Sequence, residues 1–264
     1  KDRIVAYMPN TIETVEAFIA SISLGSIWSS CSPDFGAKGA IERFSQIKPK
    51  VLFVTNEYFY NGKRINILER IDEIVKKIPS IKHVIINYYP GQKKKREKIK
   101  LKKVKVKYWT ELMKSKPSSI IFPKFDFDHE LAILYSSGTT GKPKCICHRN
   151  GGVLLQHKKE QQLHCNIKEK DNVFYFTTCG WMMWNWLITV LASKASIVLF
   201  DGSPMYKNND LLLKIAEKEK ITLLGVSAKY IDALRKSIPQ FNFRHKLSKL
   251  RTICSTGSPL SKDG

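Results

Sequence analysis

The feature that most constrains this chain is a repeated alternation of short apolar runs with amphipathic segments of helical period. IVAYM (Ile4–Met8), VLFVTN (Val51–Asn56), HVIIN (His83–Asn87), LAILY (Leu131–Tyr135), VFYFTT (Val173–Thr178), SIVLFDG (Ser196–Gly202), ITLLGV (Ile221–Val226) and RTICSTG (Arg251–Gly257) read as strands. TVEAFIASISLG (Thr14–Gly25) puts Val15, Phe18, Ile19 and Ile22 on one helical face and stops at a glycine. ILERIDEIVKKI (Ile67–Ile78) is amphipathic and stops before Pro79. Further helices are expected near 38–47, 151–164, 185–193, 211–220 and 229–236. Strands that are apolar almost throughout are buried on both faces, and strand–helix–strand units set successive strands parallel. The fold class is therefore α/β, with parallel sheets covered by helices.

One stretch breaks the alternation. KKKREKIKLKKVKVK (Lys93–Lys107) is densely basic, and KSKPSSIIFPKFDFDHE (Lys114–Glu130) follows it. We expect residues 91–130 to join two subdomains, 1–90 and 131–264. The basic run holds much of the formal charge of +22, which raises the question of a nucleic-acid partner. The run has no interleaved aromatics, however, and LKKVKVK alternates as an edge strand would. Lysines on such an edge deter pairing between sheets. A lysine-biased composition accounts for the remaining excess, and no nucleic-acid partner is expected. The opposing reading predicts salt-sensitive binding that is lost when the run is neutralised.

Six cysteines stand at irregular spacing, several inside apolar runs, where free cysteine packs as a small hydrophobe. A disulfide framework would be unusual in a chain this long, so the reading is a reducing, cytoplasmic protein. CICH (Cys145–His148), with His157, His164 and Cys165 downstream, matches no standard zinc spacing. Packed cysteines and surface histidines are expected there, and no metal site. No run of about 18 apolar residues signals a membrane span. The opening KDRIVAYMPN is already strand-like and the chain closes on LSKDG, so it reads as a piece of a longer one.

YSSGTTGKPK (Tyr135–Lys144) follows the apolar LAIL. It is not a Walker loop, because Gly138 is followed by TTGK and then Pro143. The physical ingredients of an anion cradle are nevertheless present. Gly138 and Gly141 let backbone N–H groups turn towards an anion. Ser136, Ser137, Thr139 and Thr140 add hydroxyl donors. Lys142 and Lys144 add charge, and Pro143 stiffens the exit. We expect this loop to sit after a strand and before a helix, at the carboxyl end of a parallel sheet, where ligands bind in such folds.

The loop resembles the phosphate-binding signature of the adenylate-forming superfamily of acyl-CoA synthetases, luciferases and peptide-synthetase adenylation domains. Three further stretches narrow the resemblance: CSPDFG (Cys31–Gly36), TTCGWMMWNW (Thr177–Trp186) and CSTGSPL (Cys254–Leu260). Together they resemble the acetoacetate-activating branch of that superfamily, in order from Lys1 to Gly264, with the basic run matching least. The resemblance implies part of the N-terminal adenylation domain, without the small C-terminal domain. It implies an ATP-dependent acid–thiol ligase acting on acetoacetate, ATP and CoA, with Mg²⁺, through an acyl-adenylate. Another short-chain acyl-CoA synthetase, or a truncated non-catalytic nucleotide-binding module, stays open.

Residue by residue, the resemblance gives the β- and γ-phosphates to Ser136, Ser137, Gly138, Thr139, Thr140, Gly141, Lys142 and Lys144. It sets Gly257, Ser258 and Pro259 against adenine, with Gly257 allowing close approach to the base. Trp181, Met182, Met183 and Thr256 become walls of the acyl pocket. On pattern alone the aromatic–Met run would be core at a helix start; the resemblance reverses that for Trp181–Met183 but not for Trp184 or Trp186. Cys179 stands where a Thr is commoner and is read as packing. Cys145 follows the last loop lysine, where Gly or Ala is usual; without an adjacent base it has no catalytic role. The superfamily's Thr-Glu pair, ribose-binding Asp and mobile catalytic Lys are expected beyond Gly264, so the stretch contains no catalytic residue and is expected to be inactive alone.

Overall fold

The computed structural model describes residues 1–90, 99–116, 119, 121–136, 141–207, 209–237 and 245–262. The chain divides into two compact units. The first comprises Lys1–Phe59, Arg64–Val153 and Thr178–Trp181; the second comprises Tyr60–Lys63, Leu154–Thr177 and Met182–Gly264.

The first unit opens with β1 (Arg3–Tyr7), α1 (Ile12–Ser23), β2 (Ile27–Cys31), α2 (Gly36–Ile47) and β3 (Val51–Thr55). A hairpin of β4 (Glu57–Tyr60) and β5 (Lys63–Asn66) follows, then α3 (Leu68–Lys77), β6 (His83–Asn87), β7 (Lys105–Tyr108), the short α4 (Trp109–Leu112), β8 (Glu130–Ser136) and β9 (Lys144–Arg149). Among the described residues seven strands form one sheet in the order β7-β6-β3-β1-β2-β8-β9. Each neighbouring pair is parallel except β8 with β9. One helix-covered face is a continuous core of Val5, Tyr7, Phe44, Leu52, Ile74 and Val84. Helix α3 supplies Ile71, Ile74 and Val75 to it while its charged face stays outside. Lys105–Lys107, the end of the alternating LKKVKVK, begin the edge strand β7; Lys93–Lys98 lie outside the described residues.

The second unit contains β10 (Asn172–Tyr175), α6 (Met182–Thr189), β11 (Ser196–Val198), α7 (Leu211–Lys218), β12 (Leu223–Ser227), α8 (Ala228–Ser237) and β13 (Thr252–Thr256). Helix α5 (Asn150–Lys159) precedes them and widens at Glu160–His164 into a π-helical turn. The sheet order is β11-β10-β12-β13, all parallel. Alternate residues on one strand go to opposite faces. Phe174, Leu224 and Val226 pack with Leu212 and Tyr230 on one side, while Val173, Tyr175 and Leu223 pack with Trp186 and Leu187 on the other. That double burial explains why these strands are apolar at nearly every position. Gly225 interrupts the pattern because a Cβ there would run into the Tyr175 ring.

His157 is buried, contrary to the surface position expected for it. Its Nδ1 lies 2.9 Å from Thr189 Oγ1, and Gln161 Nε2 donates to the Trp186 carbonyl at 2.9 Å. Among the described residues no three His, Cys, Asp or Glu side chains gather as a cation site. No helix among them is long and apolar enough to cross a membrane.

Candidate functional site

The glycine-rich loop closes a hairpin. Ser136 ends β8 and stands in register with Lys144, the first residue of β9. The sequence reading placed a helix directly after this loop; an antiparallel strand intervenes, and α5 comes only after it. All six residues of β9 except His148 are exposed at the sheet edge, so the strand has no buried face to imprint an alternation on the sequence. Ser137, Gly138, Thr139 and Thr140 lie outside the described residues. Gly141 has φ +139°, and nothing lies within 4 Å of where its Cβ would be. Backbone conformation, not crowding, requires glycine there. Lys142 and Lys144 are exposed and have no acidic partner among the described residues.

The hairpin is anchored by side chains that sequence reasoning did not single out. Gln46, at the end of α2, donates through Nε2 to the Pro143 carbonyl at 2.9 Å. Ser29 Oγ donates to the Ile133 carbonyl at 2.7 Å and lies 3.2 Å from the Tyr135 hydroxyl. The Arg43 guanidinium lies over the Phe35 ring at 4.4 Å and nearer the edge of reach over Tyr135 at 5.8 Å. Burial pushes the Tyr135 phenol well above its ordinary value. Cys145 pairs across from Tyr135 and is exposed.

Trp181 lies in the same unit as the loop. Its segment, Thr178–Trp181, is pinned over the carboxyl ends of β1 and β2. Ser30 Oγ donates to the Cys179 carbonyl at 2.5 Å, and the buried Cys179 thiol donates to the Met8 carbonyl at 2.8 Å. Gly180 passes so near the end of β2 that a Cβ would sit 3.1 Å from the Phe35 ring. This holds Trp181 at the same carboxyl edge as Ser136, with its side chain half exposed at 55%.

The second unit presents the other sequence-predicted residues at the carboxyl edge of its own sheet. Met182 opens α6 and is exposed, whereas Met183 packs into the cluster that includes Tyr175 and Trp186. Trp184 and Trp186 are core. Thr256 ends β13 opposite Ser227, and Gly257, Ser258 and Pro259 follow it into solvent. Gly257 has φ +90° with open space around its Cβ position, so a bare backbone surface faces outward there. Three residues before Gly257, Cys254 Sγ lies 3.9 Å from Cys165 Sγ; burial, with the neighbouring sulfur, raises its thiol.

Each unit presents a loop at the carboxyl ends of its own parallel strands, the edge at which ligands bind in open α/β sheets. The family model for AMP-binding enzymes matches residues 1–263. The chain belongs to the AMP-binding enzyme family. Within that family it is 45% identical over 264 residues to the acetoacetyl-CoA synthetase of Gallus gallus, a match spanning 98% of this chain and 39% of that one. The acetoacetyl-coenzyme A synthetase of Rhizobium meliloti is 44% identical over 263 residues, spanning 100% and 40%. Among solved structures, acetoacetyl-CoA synthetase from Streptomyces lividans superposes with a TM-score of 0.89 at 37% identity, covering 99% of this chain and 39% of that one. The chain thus spans about two fifths of the length of these AMP-binding relatives.

Proposed function

We propose that this chain serves an ATP-dependent acid–thiol ligase that joins acetoacetate to CoA through an acyl-adenylate. The observation that carries the proposal is the β8–β9 hairpin. Its mouth sets Ser136 opposite Lys144 at the carboxyl edge of the sheet, and Lys142 and Lys144 have no acidic partner among the described residues. The similarity to acetoacetyl-CoA synthetases supports the choice of acid.

In this reading the carboxylate attacks the α-phosphorus of ATP and pyrophosphate leaves. The CoA thiol then attacks the acyl carbon and AMP leaves. Direct attack on the acid would require oxide as leaving group; adenylation replaces it with a stabilised phosphate anion. The first step brings a carboxylate to a polyanion, so its barrier is set by repulsion that donors must offset. Ser136, Ser137, Gly138, Thr139, Thr140, Gly141, Lys142 and Lys144 hold the β- and γ-phosphates and carry charge away with pyrophosphate. Gly257, Ser258 and Pro259 take the adenine. Trp181, Met182, Met183 and Thr256 contact the acyl group, the methionines adapting to a short chain. Among the described residues no three His, Cys, Asp or Glu side chains gather to hold Mg²⁺, and no step is assigned to it.

The test is carboxylate-dependent ATP–pyrophosphate exchange by the gene product at its natural ends, with acetoacetate, acetate, butyrate and 3-hydroxybutyrate. Exchange fastest with acetoacetate supports the proposal. Exchange fastest with another acid keeps the adenylation step and moves the substrate. A folded protein that binds ATP but exchanges with none of the four would make the chain a non-catalytic nucleotide-binding module.

A further inference from the structure

The amino edge of the seven-stranded sheet carries a feature separate from the loop after β8. A cleft of about 430 Å³ opens among the end of α3, the turn before β6 and the bend before β7, within the size range of small-molecule sites. Its floor is apolar, with Val75 and Ile81 buried. Its lining includes Lys76, Lys82, Lys102 and Lys103 and no carboxylate. From β7 to β8 the strands of this sheet are parallel, so their amino ends share one edge. Lys82 and Lys103 precede β6 and β7, while Ser136 ends β8. The cleft and the loop therefore lie at opposite edges of one sheet.

Two ordinary reasons for a surface lysine cover only part of this rim. Lys76 lies in the last turn of α3, where the helix dipole favours a cation, and it pairs with Asp72. A lysine-rich composition supplies lysines to outward helix faces. Neither reason gathers Lys82, Lys102 and Lys103 from two separate loops around one concavity. The Lys82 ammonium donates to the Pro79 carbonyl at 3.0 Å, and Lys102 and Lys103 have no ion pair among the described residues. Like charges over an apolar floor repel one another and focus a positive potential into the cleft. An anion relieves that repulsion. The rim is lysine without arginine. Ammonium groups are compact point charges with three donors each and bind phosphate as such; several of them with no carboxylate among them suit a multiply charged anion better than a single carboxylate.

We propose that this cleft is a second anion site that takes a soluble oligophosphate. The ammonium groups of Lys82, Lys102 and Lys103 hold its oxygens, and the Val75–Ile81 floor keeps water from beneath them.

The probe is inorganic tripolyphosphate, titrated calorimetrically into the chain. Three variants separate the contributions. Lys82→Ala/Lys102→Ala/Lys103→Gly empties the cleft rim, with glycine keeping the φ of 65° at position 103. Lys142→Ala/Lys144→Ala removes the loop lysines. Lys124→Ala/Lys168→Ala/Lys218→Ala lowers the net charge equally at exposed positions elsewhere. The cleft component should survive in the loop variant and in the charge control, and weaken by at least about tenfold in the cleft variant. Because it is read in the loop variant, its fate does not depend on the ligase proposal. Wild-type binding by the cleft variant, equal weakening in the charge control, or no binding component in the loop variant would overturn it. A variant-free check is acetylation of lysines on the wild-type chain. Tripolyphosphate should protect Lys82, Lys102 and Lys103; labelling unchanged by the ligand would also overturn the proposal.

Discussion

Lys48 ends α2 with φ 46° and ψ 61°, and Lys194 sits at φ 56° and ψ 24° after Val190–Ser193. Both are left-handed positions where glycine or asparagine is the ordinary choice. Of the eight non-glycine residues with positive φ among the described residues, six are lysines. Lys103 lines the cleft described above; at the other five the lysine excess has reached backbone positions that suit lysine poorly, which fits a compositional bias better than selection at each site. Left-handed backbone costs an L-residue about 1–2 kcal/mol, and glycine gives back roughly 0.5–1 kcal/mol as chain entropy. Lys48→Gly and Lys194→Gly should each raise stability by about 0.5–1 kcal/mol in denaturant titrations. A loss of stability at either position would mean that its side chain makes contacts worth more than the strain. Gly225 has the opposite expectation. Gly225→Ala drives a methyl into the Tyr175 ring and should cost about 1–3 kcal/mol by overpacking, read from the denaturation midpoint. A glycine inside the apolar ITLLGV is a legible sign of close approach, though only the fold shows that the neighbour is Tyr175.

At the level of elements, the buried parallel strands and the amphipathic helices were visible in the sequence because burial on two faces, or on one helical stripe, imposes a period. Strand β9 was not, because exposure removed that imprint. The β4–β5 hairpin was legible but went unread: Tyr60-Asn61-Gly62-Lys63 carries the Asn-Gly pair that favours a two-residue turn, and both central residues have positive φ, 46° and 80°. The candidate site residues were proposed through a motif alone, and the side chains that anchor their segments, Gln46 and Ser30, are visible only in the tertiary structure. The β8–β9 hairpin yields its own prediction. Lys142→Ala/Lys144→Ala should weaken ATP binding roughly 10- to 100-fold without lowering the melting temperature, as both side chains are exposed. Helix α7 yields another. His245 bridges Asp210 at 3.0 Å and Glu217 at 3.1 Å, two turns apart on one helix face. Burial pulls the Asp210 carboxyl upward, but hydrogen bonds from Lys214 and His245 outweigh it and hold the group below its ordinary value. The backbone N–H of Lys246, then His245, lower Glu217. With native values depressed, the unfolded chain binds protons first as pH falls below about 4. The stability these carboxylates contribute is present above that pH and lost below it. Asp210→Asn should therefore flatten the acid limb of the stability–pH curve; an unchanged slope would remove this bridge from the account.

The whole molecule carries a formal charge of +22, and self-repulsion of that size opposes compaction. Raising ionic strength from low salt to about 0.15 M, where the screening length is about 8 Å, should lift the melting temperature by a few degrees; a fall would mean that attractive pairs outweigh the repulsion. Neither of the two units is a continuous stretch of chain. The first unit is completed by Thr178–Trp181, whose Cys179 carbonyl accepts from Ser30 across 149 residues. On a ribosome adding roughly 5–20 residues per second, Ser30 is made roughly 7–30 s before that acceptor exists. During synthesis the carboxyl ends of β1 and β2 thus wait for Thr178–Trp181 while residues 154–177, which belong to the second unit, are made. Stalling translation just before the codon for Thr178 should leave a nascent chain whose first unit is more open to protease than the same unit released a few residues later.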